Sequence, residues 1–191
     1  MTAYPTREDT VAVAVLAGGR AQRLGGIDKG LVLWRGRPLI AHVVDTVRQS
    51  CGDLLIVANR HADTYAQYGR VIRDARDGYR GPLEGIATAL HASDADWLFV
   101  VPVDSPSFGV DLFERLWRDR GDASIVVAHD GARRQPLFAL YRRARIEFPG
   151  DGADMPVWRW QDGHALREVD FGDSPARFLN LNTAEDFRDE R

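Results

Sequence analysis

The sequence predicts a three-layer α/β/α fold built on a mostly parallel mixed sheet. Three continuous apolar runs, at residues 11–16, 54–58 and 97–103, are typical of central strands that are covered on both faces. Helical patterns lie between these runs, and alternating strands and helices favour parallel pairing through right-handed crossovers. Ligands of such sheets bind beyond the carboxyl ends of the strands. The residues that follow each run are therefore the first candidates for a functional site.

The helices are predicted from proline and from apolar spacing. Pro38 is a favoured first helical residue, the apolar residues after it recur at helical spacing, and Gly52 is predicted to end that helix. Pro82 opens a second helical segment, which a short strand around Val71 and Ile72 precedes. These elements continue the alternation that the three long runs begin.

The C-terminal half is predicted to extend the sheet with a different geometry. Residues 124–128 and 135–141 flank a segment, 129–132, that contains Asp-Gly, a strong turn signal. This pattern predicts a hairpin-like, mixed-sheet addition. A short strand is predicted at residues 178–179, and Thr183 is predicted to cap a final helix.

Length and composition indicate one globular domain spanning residues 1–191, with residues 1–10 as a flexible N-terminal extension. Hydrophobic residues make up 45% of the chain, and the net charge of −3 gives no support for a nucleic-acid or membrane partner. No segment approaches the roughly 18 to 20 apolar residues that span a bilayer, so a cytoplasmic protein is expected. The single Cys51 excludes an intramolecular disulfide and a cysteine-rich zinc site.

A glycine-rich, basic segment directly follows the first predicted strand. Its glycines let backbone N–H groups approach an anion, and its cations can bond phosphate oxygens: Gly18, Gly19, Gly25 and Gly26, with Arg20, Arg23 and Lys29. A P-loop has the pattern G-x-x-x-x-G-K-[ST], but Lys29 stands between Asp28 and Gly30, so the segment is not a P-loop. The dinucleotide-binding pattern G-x-G-x-x-G is also absent. The segment predicts a polyphosphate site; the alternative is a glycine-rich surface loop with solvated cations.

Carboxylates follow two of the predicted strands. Asp104 is well placed to bind Mg²⁺, which takes only one or two protein carboxylates, or alternatively to cap the next helix. Asp74 could contact a base, a ribose or a metal, or could form a turn. Residues 81–83 offer free N–H groups at a helix start to an anion or a base carbonyl, unless they are simply the helix entrance. Trp158 and Trp160 lie in a poorly patterned region and could line a pocket.

Taken together, these segments resemble the molybdenum cofactor guanylyltransferases, a family of nucleotidyltransferases whose signature loop is similar to residues 16–31. Further matching segments occur in the family's order and cover most of residues 11–187: residues 58–61, Asp74, residues 81–83, residues 104–106, residues 129–131, Pro136 and residues 180–183. The resemblance implies a Rossmann-like nucleotidyltransferase fold.

The same resemblance implies transfer of GMP from GTP to molybdopterin, with or without bound molybdenum, and release of pyrophosphate. Mg²⁺ is the implied cofactor, with Asp104 as its ligand, and Lys29 and Arg23 are expected to stabilise the leaving pyrophosphate. The expected nucleotide-binding residues are Leu16, Ala17, Gly18, Gly19, Lys29, Asn59, Asp74, Gly81, Pro82, Leu83 and Asp104. Molybdoenzyme apoproteins or their chaperones are the implied protein partners.

The chain departs from the family pattern in two places. Val57 stands where the family often has Asn, and Asn59 is the nearest residue able to replace that polar contact. Residues 151–158 lack the Arg that the family tends to place after a glycine. Three alternatives stay open: transfer of CMP or another nucleotide to molybdopterin or to a sugar or polyol phosphate, a non-catalytic nucleotide sensor, and a chaperone that delivers the finished cofactor.

Overall fold

The computed structural model describes residues 9–17, 28–50, 52–74, 81–148, 155–183 and 185–187. Their strands are β1 (Val11–Leu16), β2 (Leu33–Trp34), β3 (Arg37–Pro38), β4 (Asp53–Val57), β5 (Arg70–Ile72), β6 (Trp97–Pro102), β7 (Ile125–His129), β8 (Arg134–Arg142) and β9 (Leu166–Asp170). Their α-helices are α1 (Leu39–Val47), α2 (Ala62–Tyr65), α3 (Pro82–Ala92), α4 (Asp111–Arg118) and α5 (Val157–Gln161). Short 3₁₀ helices cover Lys29–Leu31, Arg48–Ser50, Arg143–Arg145 and Pro175–Phe178.

Seven of these strands form one mixed sheet in the order β5-β4-β1-β6-β8-β7-β9. The first four are mutually parallel, β8 is antiparallel to both β6 and β7, and β9 is parallel to β7. The carboxyl ends of β1, β4, β5, β6, β7 and β9 consequently lie along the same edge of the sheet. The predicted mostly parallel mixed sheet is confirmed, and so is its hairpin-like addition.

Helices cover both faces of the sheet. The apolar side chains of α1 and α4 pack against one face, and those of α3 and α5 pack against the other. Strand β1 contributes alternate residues to the two cores, and all six of its residues are buried. This burial explains why β1 reads as an uninterrupted apolar run. The predicted three-layer architecture is therefore correct.

Most predicted boundaries agree with the structure to within a residue or two, which is the usual uncertainty of helix and strand ends. Strand β4 begins one residue before the predicted run, and α3 begins at Pro82 as predicted. Helix α1 starts at Leu39 with Pro38 as its cap, and a 3₁₀ turn at Arg48–Ser50 follows it. The longest described helix, α3, has 11 residues, whereas a span across a bilayer needs about 20.

The strand predicted at residues 178–179 is wrong. Pro175–Phe178 forms a 3₁₀ helix, and its Phe178 ring is buried against Phe138 and Phe171 at centroid distances of 5.0 and 5.8 Å. Near the end of the described chain, the backbone N–H of Asp186 donates to Thr183 Oγ1 at 3.3 Å. This is the predicted cap contact, but residues 185–187 form a turn, and residues 188–191 lie outside the described part of the chain.

Candidate functional site

The candidate site lies along the edge of the sheet where the parallel strands end. Backbone hydrogen bonds continue the pairing past these ends: Ala17 N–H to Val57 O at 3.0 Å, Ala58 N–H to Ile72 O at 3.0 Å, and Val103 N–H to Leu16 O at 3.1 Å. Asn59, Asp74 and Asp104 each lie two residues beyond the end of a strand, namely β4, β5 and β6. The sheet therefore brings these predicted residues to one edge, with Leu16 and Ala17 at its centre.

The structure joins Lys29 to Asp104. Lys29 Nζ lies 3.1 Å from Asp104 Oδ2 and donates to Asn182 Oδ1 at 2.5 Å. The side chains of Lys29 and Asp104 are 26% and 22% exposed, so both remain accessible from the edge of the sheet. Helix α4 begins only at Asp111, with Val110 at its cap position, so Asp104 is not the cap of that helix.

Backbone hydrogen bonds hold the segment that carries Asn182. Leu181 N–H donates to Asp104 O at 2.8 Å, and Asn182 N–H donates to Asp186 Oδ2 at 2.6 Å. The backbone N–H groups of Thr183 and Asn182 lower the pKa of the Asp186 carboxyl, and the charge of Lys29 adds a smaller effect in the same direction. Residues 180–183 belong to the family resemblance, but the sequence predicts no role for Asn182.

A buried hydrogen-bonded cluster holds the residues on either side of Lys29. Asp28 Oδ1 accepts hydrogen bonds from Gly30 N–H at 3.2 Å and from the hydroxyl of Tyr65 at 2.6 Å. Burial raises the pKa of Tyr65 far above its usual range, and the hydrogen bond to Asp28 adds to this, so the phenol stays a neutral donor. A Cβ at Gly30 would lie 2.3 Å from the Tyr65 hydroxyl oxygen, which explains the glycine.

Asn59 and Asp74 bind each other reciprocally. Asn59 Nδ2 donates to Asp74 Oδ2 at 2.7 Å, and Asp74 N–H donates to Asn59 Oδ1 at 3.0 Å. The second carboxylate oxygen, Asp74 Oδ1, is buried and has no hydrogen-bond partner among the described residues. Gly85 lies next to this oxygen. A Cβ placed on Gly85 would be 3.8 Å from Asp74 Oδ1. Val57 is apolar and is buried in the core. Asn59, two residues later, presents a side-chain amide at this end of β4.

Gly81 and Pro82 shape the entrance of α3 at the same edge. Gly81 has φ +85° and ψ −179°, a conformation that is essentially restricted to glycine, although a Cβ would meet nothing within 4 Å. Pro82 is the first residue of α3, and the side chain of Leu83 is buried in the core. The Leu83 side chain is thus not presented to a ligand, whereas Gly81 and Pro82 are exposed at the helix entrance.

Several predicted residues lie outside the described residues: Gly18, Gly19, Arg20, Arg23, Gly25, Gly26 and Cys51, together with the segments 1–8, 75–80 and 149–154. The described residues contain no group of three or more histidine, cysteine, aspartate or glutamate side chains that could hold a metal. A Mg²⁺ ion nevertheless fits Asp104, because the ion usually completes its shell with water and substrate phosphates. The partly exposed carboxylate of Asp104 is suited to this arrangement.

The chain is similar to known proteins over most of its length. The family described as "MobA-like NTP transferase domain" matches residues 13–160. A protein named molybdenum cofactor guanylyltransferase from Vibrio vulnificus is 41% identical, covering 90% of each chain. One of the same name from Photobacterium profundum is 40% identical, covering 96% of each chain. The crystal structure of molybdopterin-guanine dinucleotide biosynthesis protein A from Archaeoglobus fulgidus has a TM-score of 0.72 at 20% identity, covering 93% of this chain and 95% of that one.

Proposed function

This chain belongs to the MobA-like NTP transferase family, and from that premise we propose that it is a molybdenum cofactor guanylyltransferase. The reaction transfers GMP from GTP to molybdopterin, releases pyrophosphate and takes place in the cytoplasm, where GTP is available. The observation that carries the proposal is the Lys29–Asp104 pair, which puts a cation and a carboxylate side by side at the ligand-binding edge of the sheet.

The two charges suit a triphosphate that carries a divalent ion. Such a ligand presents a negative partner to Lys29 and a positive partner to Asp104. Bound Mg²⁺, held by Asp104, would neutralise phosphate charge and so make the phosphorus a better electrophile. Asn182 bonds the Lys29 ammonium from one side and keeps its Nζ at the edge of the sheet. Leu16, Ala17 and Lys29, together with Gly18, Gly19 and Arg23, are proposed to enclose the phosphates.

The chemistry is a single displacement. A terminal phosphate oxygen of molybdopterin forms a bond to the α-phosphorus of GTP, and the bond from that phosphorus to the bridging oxygen of pyrophosphate breaks. No covalent intermediate with the protein is needed. Lys29 and Arg23 stabilise the negative charge that develops on pyrophosphate, so the contribution of the protein is positioning and electrostatics.

Asp74 is the proposed contact to guanine. The guanine ring offers an N–H group and an amino group as donors, and Asp74 Oδ1 is a buried acceptor that no described residue bonds. An unpaired buried acceptor costs about 1–3 kcal/mol, which a ligand N–H group would offset. Asn59 fixes the carboxylate by bonding its other oxygen. Gly81, Pro82 and Leu83 are proposed to contribute backbone at the same side of the nucleotide.

A direct test is pyrophosphate release from the purified protein with each of the four nucleoside triphosphates. Molybdopterin, a sugar phosphate and a polyol phosphate serve as acceptors, and mass spectrometry identifies the products. We expect turnover with GTP and molybdopterin and little with the other pairs. Turnover with CTP would favour the cytidylyl alternative. Tight GTP binding without any product would favour a sensor, and GTP-independent association with a molybdoenzyme apoprotein would favour a delivery chaperone.

A further inference from the structure

A separate cavity lies at the other half of the sheet, between α5 and the strands β7, β8 and β9. Its volume is about 480 Å³, and its lining includes His129, Arg134, Trp158, Asp162 and Glu168. None of these residues belongs to the nucleotide site proposed above. In the sheet order, β6 with Asp104 at its end separates this cavity from β4 and β5, which lead to Asn59 and Asp74. The cavity and the Asn59–Asp74 pair therefore lie on opposite sides of β6 in the sheet.

Trp158 gives the cavity an aromatic wall. Its side chain is 51% exposed, whereas Val157 and Trp160 on the same helix are buried. The backbone carbonyl of Trp158 accepts a hydrogen bond from Arg134 Nη1 at 3.1 Å, which ties α5 to β8 at this point. An exposed indole that lines a cavity offers a face on which a planar ring can stack.

Glu168 and His129 give the cavity a hydrogen-bonding wall. Arg134 forms an ion pair with each of two carboxylates, at 2.7 Å from Asp162 Oδ1 and 2.7 Å from Glu168 Oε1. Glu168 Oε2 lies 4.0 Å from His129 Nε2, too far for a hydrogen bond, and no described residue donates a hydrogen bond to this oxygen. His129 Nδ1 accepts from Gly131 N–H at 3.1 Å, which requires the proton of the neutral ring to be on Nε2.

The wall thus has an acceptor and a donor side by side, Glu168 Oε2 and His129 Nε2–H, 4.0 Å apart. A ring edge that carries an N–H group next to a carbonyl has the complementary pattern, and a carboxylate is the stronger acceptor for that N–H group. We propose that this cavity binds the pterin ring of the acceptor, with its face on Trp158 and its aminopyrimidinone edge on Glu168 and His129. This inference rests on the proposed function, which supplies a pterin as substrate.

Guanine presents the same type of edge as a pterin. The place of each site in the sheet therefore indicates which of the two rings it binds. Asn59 and Asp74 follow β4 and β5, whereas His129 ends β7 and Glu168 lies in β9. The Lys29–Asp104 pair, proposed to bind the reacting phosphates, lies between these two groups in the sheet order. One ring on each side of the phosphates is the arrangement that a transfer between two substrates needs.

The binding test follows the indole N–H signal of Trp158 by NMR in ¹⁵N-labelled full-length protein during titration with free pterin. The signal is assigned by its loss in Trp158→Phe. We expect pterin to shift it, in the presence as well as the absence of saturating GTP. Arg159→Ala, on the same helix but lining a different cavity, should leave the shift unchanged. An unmoved Trp158 signal, or displacement of pterin by GTP, would overturn the inference.

The kinetic test compares Glu168→Gln with Asp162→Asn. Both variants weaken the ion pairs of Arg134, but only the first removes the proposed carboxylate partner of the pterin. Glu168→Gln should raise the KM for molybdopterin about 10-fold, as expected for one hydrogen bond to a charged group, and leave the KM for GTP unchanged. Asp162→Asn should change either KM much less. Equal effects of the two variants on the molybdopterin KM would contradict the assignment.

These tests separate the inference from the proposed function. If the wild-type protein transfers GMP to molybdopterin but pterin does not shift the Trp158 signal, the inference fails and the function stands. If the protein makes no product from GTP, the proposed function fails, and the pterin titration still decides whether the cavity binds this ring.

Discussion

At the scale of single residues, the Lys29–Asp104 ion pair contributes little to stability, although it lies at the centre of the candidate site. Both side chains are partly exposed, and such ion pairs contribute about 0–1 kcal/mol to folding. A cation that stabilises charge developing in a reaction contributes more, because its effect is concentrated in the transition state. Activity and stability should therefore respond differently to the loss of this pair.

Lys29→Ala should lower kcat by about 10²-fold or more, because one preorganised charge-stabilising donor is removed. The urea midpoint of unfolding should change little. Arg70→Ala is the control, since Arg70 forms an exposed ion pair with Asp53 at the edge strand β5. That variant should preserve both kcat and the midpoint. Full turnover of Lys29→Ala at saturating GTP and molybdopterin would remove Lys29 from the mechanism.

Asp74→Asn should weaken guanine selection. The amide keeps the shape of the carboxylate but replaces one acceptor oxygen by a donor, so a ligand N–H group loses its partner. We expect the KM for GTP to rise by about 10-fold, as for a lost hydrogen bond to a charged group, and the preference for GTP over ATP to fall. Asp63→Asn on the exposed side of α2 is the matched control. An unchanged GTP-to-ATP ratio would assign guanine recognition to other residues.

At the scale of elements, the 3₁₀ turn Lys29–Leu31 depends on a fully buried residue of α2. The hydroxyl of Tyr65 occupies the space that a side chain at position 30 would need and bonds the carboxylate that caps the turn. The glycine and the tyrosine are therefore coupled: each has the size that the other requires. This coupling fixes the backbone on either side of Lys29.

Gly30→Ala should destabilise the protein by about 1–3 kcal/mol, because the new methyl group overlaps the Tyr65 hydroxyl. Tyr65→Phe removes that oxygen and should cost a similar amount, because the buried carboxylate of Asp28 loses one of the two donors that bond its Oδ1. The double variant should be less destabilised than the sum of the two, since the overlap is gone. Urea unfolding of all four proteins measures this coupling. Strict additivity would show that the two positions are independent.

Local sequence patterns predict single elements better than contacts between distant parts of the chain. Strand β1 and helix α3 were predictable because local patterns of apolar residues and proline determine them. The joining of Lys29 and Asp104 could be expected, because both follow strands of one parallel sheet. Asn182 and Tyr65 could not be assigned a role, since their partners are 153 and 37 residues away in the chain.

The wrong prediction at residues 178–179 and the unpredicted β9 have one cause. Phe178 is buried by two distant phenylalanines, so its local apolar pattern carries no information about a strand. Strand β9 is at the edge of the sheet, and its sequence Leu-Arg-Glu-Val-Asp buries only Val169. In both elements tertiary contacts, not local preference, determine the conformation.

At the scale of the whole molecule, hydrogen bonds between Thr10 and Asp96 join the two central strands β1 and β6 at their amino ends. Thr10 donates its backbone N–H and its hydroxyl to Asp96 Oδ2, each at 2.8 Å, and Asp96 N–H donates back to the Thr10 hydroxyl oxygen at 3.0 Å. The carboxylate thus joins segments 86 residues apart, at the sheet edge opposite the candidate site. Stability of the central sheet should depend on the charge state of this group.

The dependence on pH follows from the sign of the pKa shift. The two hydrogen bonds from Thr10 hold the pKa of Asp96 below its ordinary value of about 3.9, so the folded state binds this proton more weakly than the unfolded state. The stabilisation is present above about pH 3.9 and is lost as the pH falls through the folded pKa.

Urea unfolding between pH 6 and pH 2.5 should show the steepest loss of stability for the wild type. Thr10→Ala, which keeps the backbone donor, should be intermediate, and Asp96→Asn should be least steep. Equal slopes of stability against pH for the three proteins would mean that the Thr10–Asp96 hydrogen bonds do not contribute to acid unfolding. The other carboxyls of lowered pKa, Asp122, Asp130 and Asp186, would then account for it.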